Sequence, residues 1–265
     1  MQFDLSDCSI VIPVCVDSME RCEHLQFLCV YFKKYFINCR LILAEVGKTR
    51  LIPLLTDREI ETHFTEREKF SLTDISNWGA SLVKTPFFCK CDADTLIHPK
   101  AIFDAFELLK NSPDQSFVRP FNGILFDVTN PLRKNILQTV DLSPLPFFTK
   151  EQIETPFTIP NMRLRVKNAY GLIHVFRTST FKELGGYNEE FIEWGAEDNE
   201  IVNRFQTLGH PRVHLENYNA FHFDHPRKPV EAAQVFKNRL KMRELKDATE
   251  EELRRDIQRW SRFKN

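Results

Sequence analysis

Three short runs constrain this chain most: Cys8 to Val14, Arg40 to Glu45 around Leu41–Ala44, and Pro86 to Cys91. Each is apolar almost throughout and too short for a buried helix, so each predicts a strand covered on both faces. Longer stretches with apolar residues at helical spacing separate and follow them. Glu20 to Phe36 carries Leu25, Leu28, Cys29, Phe32 and Phe36; Glu66 to Val83 carries Leu72, Ile75, Ala80 and Val83; Pro99 to Lys110 opens with proline in its first turn. Strand, helix, strand, helix, strand, helix predicts an α/β fold with a parallel sheet between helices. Phe117 to Val128 returns to a strand pattern. Thr129 to Lys167, with five prolines, predicts a long irregular excursion of the kind that faces a substrate on such scaffolds. Further on, the sequence predicts a strand at Tyr170 to Phe176 and a short helix from Thr180 to Leu184 stopped by Gly185-Gly186. It then predicts a helix from Glu197 to Leu208, a strand within Val213 to Phe223, and a charged helical stretch from Pro229 to Asn265.

The chain has 265 residues, 42% of them hydrophobic, enough for a sizeable core. Its 36 basic and 37 acidic side chains leave a net charge of −1, which removes any global electrostatic case for binding nucleic acid. No run approaches the roughly 18 apolar residues of a membrane span. Met1 to Ser9 carries Asp4 and Asp7 and no basic residue, unlike a secretory signal. Seven scattered cysteines then predict a cytoplasmic protein with reduced thiols packed as small hydrophobes. Cys15, Cys22 and Cys29 fall at seven-residue spacing, a stripe if helical. A zinc site at Cys89, Cys91 and His98 is the alternative, disfavoured because no second cysteine pair lies at ligand spacing. The 24 phenylalanines predict core packing.

Three segments carry chemistry. Asp92-Ala93-Asp94 follows a buried strand directly, at the sheet edge where open α/β folds bind ligands. Carboxylates two residues apart on extended chain point to one side and invite a hard divalent cation, Mn²⁺ or Mg²⁺, with phosphate oxygens. Trp194-Gly195-Ala196-Glu197-Asp198 places an aromatic platform and small residues before two acids that open a helix. The acids alone are explained by the helix dipole; with the platform they suit a sugar site with a carboxylate general base. Phe221-His222-Phe223-Asp224-His225-Pro226-Arg227 offers two candidate metal ligands, His222 and His225, and a guanidinium for a diphosphate.

In order and spacing these segments resemble the metal-dependent GT-A glycosyltransferases, in particular inverting nucleotide-sugar transferases of the family 2 type and the β-1,4-galactosyltransferase C-terminal domain. The residues that carry the resemblance are Ser9–Val14, Asp92-Ala93-Asp94, Phe181–Phe191 with its Gly185-Gly186-Tyr187-Asn188-Glu189, Trp194–Asp198 and His225-Pro226-Arg227. The resemblance implies a GT-A fold, a mostly parallel mixed sheet flanked by helices. It implies a transferase domain over 1–228, divided into a nucleotide-binding part (1–128) and an acceptor- and metal-binding part (129–228), followed by a helical extension (229–265). It implies donor contacts at Pro13, Val14, Glu45, Asp92, Ala93 and Asp94, and acceptor or sugar contacts at Trp194, Gly195, Glu197 and Arg227. Mn²⁺ would be held by Asp94 with His225 or His222, and Asp198 would be the general base. The implied reaction moves a hexose or N-acetylhexosamine from a UDP-sugar to a glycan hydroxyl with inversion, in surface polysaccharide synthesis. The sequence departs from many relatives after the second strand, where Ala44-Glu45-Val46-Gly47 replaces Asp-Asp-Gly-Ser.

Two other readings compete. Haloacid-dehalogenase phosphatases share the Asp-x-Asp after a strand, but Leu96 stands where they place Thr or Val. A catalytically silent scaffold domain is the other, opposed by the intact Asp92, Asp94, Glu197, Asp198 and both histidines. The basic residues after Val230, with Trp260 and Phe263, suggest a helix at the inner membrane face; six interleaved acids favour a solvated or partner-binding helix instead.

Overall fold

A computed structural model describes residues 2–56, 60–67, 70–149, 151–153, 159–193, 195–225 and 231–263. In chain order the elements are β1 (Phe3–Asp4), β2 (Cys8–Val14), α1 (Met19–Tyr35), β3 (Phe36–Ile37), β4 (Arg40–Gly47), α2 (Ile52–Leu55), β5 (Glu61–Glu66) and α3 (Leu72–Ser81). Next come β6 (Phe87–Cys91), β7 (Thr95–Ile97), α4 (Pro99–Asn111), β8 (Phe117–Arg119), β9 (Leu125–Val128), α5 (Leu132–Thr139), β10 (Met162–Val166), β11 (Ile173–Arg177) and α6 (Thr178–Glu183). The chain continues through α7 (Glu197–Thr207), β12 (Val213–His214), β13 (Ala220–Phe223), α8 (Ala232–Lys246) and α9 (Glu250–Trp260).

A seven-stranded sheet runs β12-β8-β11-β6-β2-β4-β5. The four strands from β6 to β5 are parallel; β11 enters antiparallel between β6 and β8. The three apolar runs are its centre. All of β2 is buried because alternate residues serve two cores. Ile10, Ile12 and Val14 pack with Leu25, Leu28 and Phe32 of α1, while Val11 packs with Ile42, Phe88 and Phe176 on the other face. That second core is aromatic: Phe88, Phe117, Phe181 and Phe205 each lie within 5.3 Å of a neighbouring ring, centroid to centroid. Many of the phenylalanines are therefore structural. A second sheet, β10-β9-β13-β7, stacks beside the first.

Several sequence expectations change. Glu66 to Val83 is not one helix: β5 precedes a shorter α3. Among the described residues β5 is an edge strand pairing only with β4, so it needs no apolar run, and its polar pattern hid it. Phe117 to Val128 is two strands in different sheets, broken by a turn in which Gly123 has φ +95°. The excursion from Thr129 to Lys167 contains α5 and β10. Val213 to Phe223 holds two strands, again in separate sheets. Cys15 precedes α1, so the three-cysteine stripe does not form, and none of the seven cysteines is in a disulfide. The segment after residue 229 is two helices, and α9 buries Leu253 and Ile257 against Phe181, Leu184 and Tyr187. Among the described residues no helix is long and apolar enough to cross a membrane.

Candidate functional site

The Asp-x-Asp is the joint between the two sheets. β6 ends at Cys91 in the large sheet, and β7 begins at Thr95 in the small one. The amide of Asp92 donates to the Leu172 carbonyl at 2.9 Å, and the Phe223 amide donates to the Asp94 carbonyl at 3.0 Å, which fixes the turn from both sides. Strand register in the small sheet then delivers the partners. Thr95 lies opposite His222, His222 opposite Asp127, and Asp127 opposite Arg163.

The result is a cluster in which one carboxylate oxygen of Asp94 and ring nitrogens of His222 and His225 all lie within 4.8 Å of one another. Asp94 Oδ2 is 3.0 Å from His225 Nε2 and 3.7 Å from His222 Nε2. His222 Nδ1 is 2.9 Å from Asp127 Oδ1, which leaves Nε2 to face Asp94. Asp127 is in turn gripped by Arg163 at 2.7 Å and Arg165 at 2.8 Å. Burial opposes ionisation of Asp94, but the two adjacent histidines and the Arg21 charge hold it well below the usual carboxylate range. One carboxylate and two imidazoles backed by a carboxylate form a donor set that fits Mn²⁺. His24 of α1 stacks on Phe223 at 5.0 Å and lies 5.8 Å from His225; burial drives its pKa down to about 3, so it is neutral.

Asp92 does not join that cluster. Its Oδ1 accepts from Lys90 Nζ at 2.5 Å, and burial pushes it up to about 6 against the pull of that ammonium. Lys90 is wholly buried. Burial alone would discharge it, but Asp92, Tyr187 and Asp198 raise its pKa well above the ordinary value. Alternation on β6 turns it away from Cys89 and Cys91, which lie in the apolar core.

The second acid pair opens α7. Ala196, at φ +69°, turns the chain into the helix, and the Gly195 amide donates to Glu197 Oε2 at 2.6 Å. Burial first, then the neighbouring Asp198, pushes Glu197 up to about 7. Burial also raises Asp198, against the charges of Lys90 and Arg212. Asp198 Oδ1 is buried with no hydrogen-bond partner among the described residues. Its carboxylate occupies the space left by Gly171, where a Cβ would lie 1.7 Å from Oδ2. A cavity of about 700 Å³ opens here between α7 and α8.

Of the residues singled out in the sequence, the structure gathers Asp94, His222 and His225 around one point and Glu197, Asp198 and Gly195 around another, while Asp92 pairs with Lys90. Pro13 and Val14 are buried at the carboxyl end of β2, beside β6. Glu45 is 1% exposed, and its Oε1 accepts from the amides of Leu51 at 2.6 Å and Ile52 at 3.2 Å; this carboxylate caps α2. Ala93 is buried in the turn. Trp194 and Arg227 lie outside the described residues. Lys90, Asp127, His24 and Arg212 were not singled out. A lysine inside Phe-Phe-Cys-Lys-Cys and an aspartate inside Leu-Phe-Asp-Val were visible signals; the others depend on tertiary proximity.

A family model described as N-terminal domain of galactosyltransferase matches residues 152–226, the stretch that holds Glu197, Asp198, His222 and His225. No curated protein matches the sequence. Among solved structures, the catalytic domain of Drosophila β1,4-galactosyltransferase 7, complexed with xylobiose, is similar over 89% of this chain and 79% of its own, at 11% identity and TM-score 0.50. GalNAc-T7 with UDP, GalNAc and Mn²⁺ is similar over 89% of this chain and 47% of its own, at 12% identity and TM-score 0.60. The mannosyltransferase PcManGT from Pyrobaculum calidifontis, with GDP-Man and Mn²⁺, is similar over 95% of this chain and 69% of its own, at 12% identity and TM-score 0.55. The chain has the GT-A glycosyltransferase fold.

Proposed function

We propose that this chain is an inverting, Mn²⁺-dependent glycosyltransferase that moves a hexose or N-acetylhexosamine from a UDP-sugar to a glycan hydroxyl. The observation that carries the reading is the placement of two separate chemistries on one fold: a carboxylate–imidazole cluster at Asp94, His222 and His225, and a partly desolvated carboxylate, Asp198, beside a cavity.

Asp94, His222 and His225 would hold the metal, which when bound supplies Lewis-acid neutralisation of the departing diphosphate. Asp127 fixes the His222 ring through Nδ1 and is itself fixed by Arg163 and Arg165. Asp198 takes the proton of the acceptor hydroxyl as that oxygen attacks the anomeric carbon. One displacement from the face opposite the leaving diphosphate inverts the configuration. A carboxylate raised above its ordinary pKa is a stronger base for this step. Lys90 opposes that elevation and pairs Asp92, so its one ammonium offsets both carboxylates. Glu197 is held by the Gly195 amide, leaving its other oxygen to a sugar hydroxyl. Nucleotide contacts fall to the carboxyl ends of β2 and β6, and the role of Trp194 is stacking on the sugar.

The test is a donor-hydrolysis screen over UDP-, GDP- and dTDP-sugars, with and without Mn²⁺, beside Asp94→Ala. Release from one UDP-sugar, lost without metal and in the variant, supports the reading. No release from any donor, with no Mn²⁺-dependent nucleotide binding, overturns it.

A further inference from the structure

The cavity beside Asp198 has one wall that the catalytic step does not use. α8 packs against α7, and the stripe it turns to the cavity contains Val235, Arg239, Met242, Arg243 and Lys246, spaced four, three, one and three residues apart. That spacing puts them on one helical face. The opposite wall carries Asp198 and the amides of Asn199 and Asn203.

Most other basic residues of the two C-terminal helices are paired; Lys237 and Arg255 also lack a carboxylate partner among the described residues, but neither lines the cavity. Lys241 pairs with Glu190 at 2.6 Å, Arg254 with Glu250 at 2.9 Å, and Arg262 beyond α9 with Glu189 and Asp74. Among the described residues, none of Arg239, Arg243 and Lys246 has a carboxylate partner. They do not serve as counter-ions for the base either: the charges acting on Asp198 are those of Lys90 and Arg212. Like charges at four- and three-residue spacing cost a helix a few tenths of a kcal/mol per pair. α8 itself is fixed in place, since the buried Asn238 donates to the Ile192 carbonyl at 2.9 Å. The cations are exposed, but the helix that carries them is held against the cavity.

We infer that the acceptor is an anionic glycan, with a sugar carboxylate near the accepting hydroxyl, and that Arg239 and Arg243 on α8 select it. Two guanidinium forks match a carboxylate's paired oxygens better than an ammonium does. About 700 Å³ is within the usual range for a small-molecule site and leaves room for more than one sugar residue. The inference rests on the transferase reading and names its substrate class.

The test compares three acceptors: a hexuronate-terminated oligosaccharide, the same oligosaccharide with its carboxyl reduced to an alcohol, and a glycan bearing a phosphate monoester. The donor is the sugar nucleotide that the unaltered chain hydrolyses. The unaltered chain should prefer the hexuronate over its reduced form by at least about 10-fold in kcat/KM, one decade for one charge-assisted contact. In Arg239→Gln/Arg243→Gln that ratio should collapse toward one. Arg255→Gln, on the exposed face of α9, should keep it. A ratio near one in the unaltered chain overturns the inference, as does a preference for the phosphate glycan over the hexuronate. So does a double variant that loses binding to anionic phosphatidylserine vesicles while keeping its acceptor ratio; this would make the stripe a membrane contact. Absence of donor hydrolysis by the unaltered chain is a different result and overturns the transferase reading itself.

Discussion

Replacing Gly171 by alanine puts a methyl carbon where the Asp198 carboxylate now lies. The new Cβ would sit 1.7 Å from Oδ2, 2.3 Å from Cγ and 2.7 Å from Oδ1. Ordinary contact is about 3.5–4 Å, so the carboxylate must retreat by roughly 2 Å. The backbone is not the obstacle, because Gly171 does not have a positive φ. The obstacle is the end of a side chain bordering a cavity, and it can swing into that space. Stability should therefore change little, with a small gain from the stiffer unfolded chain offsetting part of the crowding. Catalysis should not survive as well. Misplacing a reacting group by about 1 Å can cost about 100-fold, and a general base contributes roughly 10²–10⁴. The expected fall in kcat/KM for transfer is about 10²–10⁴, or about 3–5 kcal/mol of transition-state stabilisation. The assay is initial-rate transfer beside Asp198→Asn, with thermal unfolding of both and with Mn²⁺-dependent UDP binding as the control that the donor side is intact. A Gly171→Ala protein that transfers within about threefold of the parent, while Asp198→Asn is inactive, would refute the steric argument. If Asp198→Asn is itself active, the base has been misassigned.

Other expectations follow from the same geometry. Asp127→Asn loosens the His222 ring without touching Asp94 or His225. It should weaken Mn²⁺ binding about 10–100-fold by calorimetry, and unchanged affinity would remove Asp127 from the site. The charge of Arg212 favours the ionised form of Asp198, and a proton acceptor must be ionised. Arg212→Gln should therefore shift the acid limb of the kcat/KM profile to higher pH; no shift, or one to lower pH, contradicts the assignment. Gly186 has φ +70°, and a Cβ there would lie 2.4 Å from Asn77 Oδ1, which accepts from the Tyr187 amide at 2.7 Å. Gly186→Ala should cost about 2–4 kcal/mol in denaturant unfolding, and an unchanged midpoint would show that the turn relaxes freely.

The central strands were legible because each is apolar on both faces, and only a strand between two layers has that need. The helices that cover them were legible by periodicity. β5 was not, because an edge strand with one partner can be polar. β8 and β9 read as one strand because composition does not record a change of sheet; the turn at Gly123 does. The candidate ligands Asp94, His222 and His225 and the acids Glu197 and Asp198 were visible as motifs, since chemistry demands particular residue types. What the sequence could not show was which of them meet. The register of four strands puts Asp127 beside His222, and alternation on β6 turns Lys90 toward Asp92. The space left by one missing Cβ at Gly171 receives the Asp198 carboxylate. Residue identity and period are local and survive in one dimension; pairwise distance across 131 positions, as between Asp94 and His225, is set only when the sheets close.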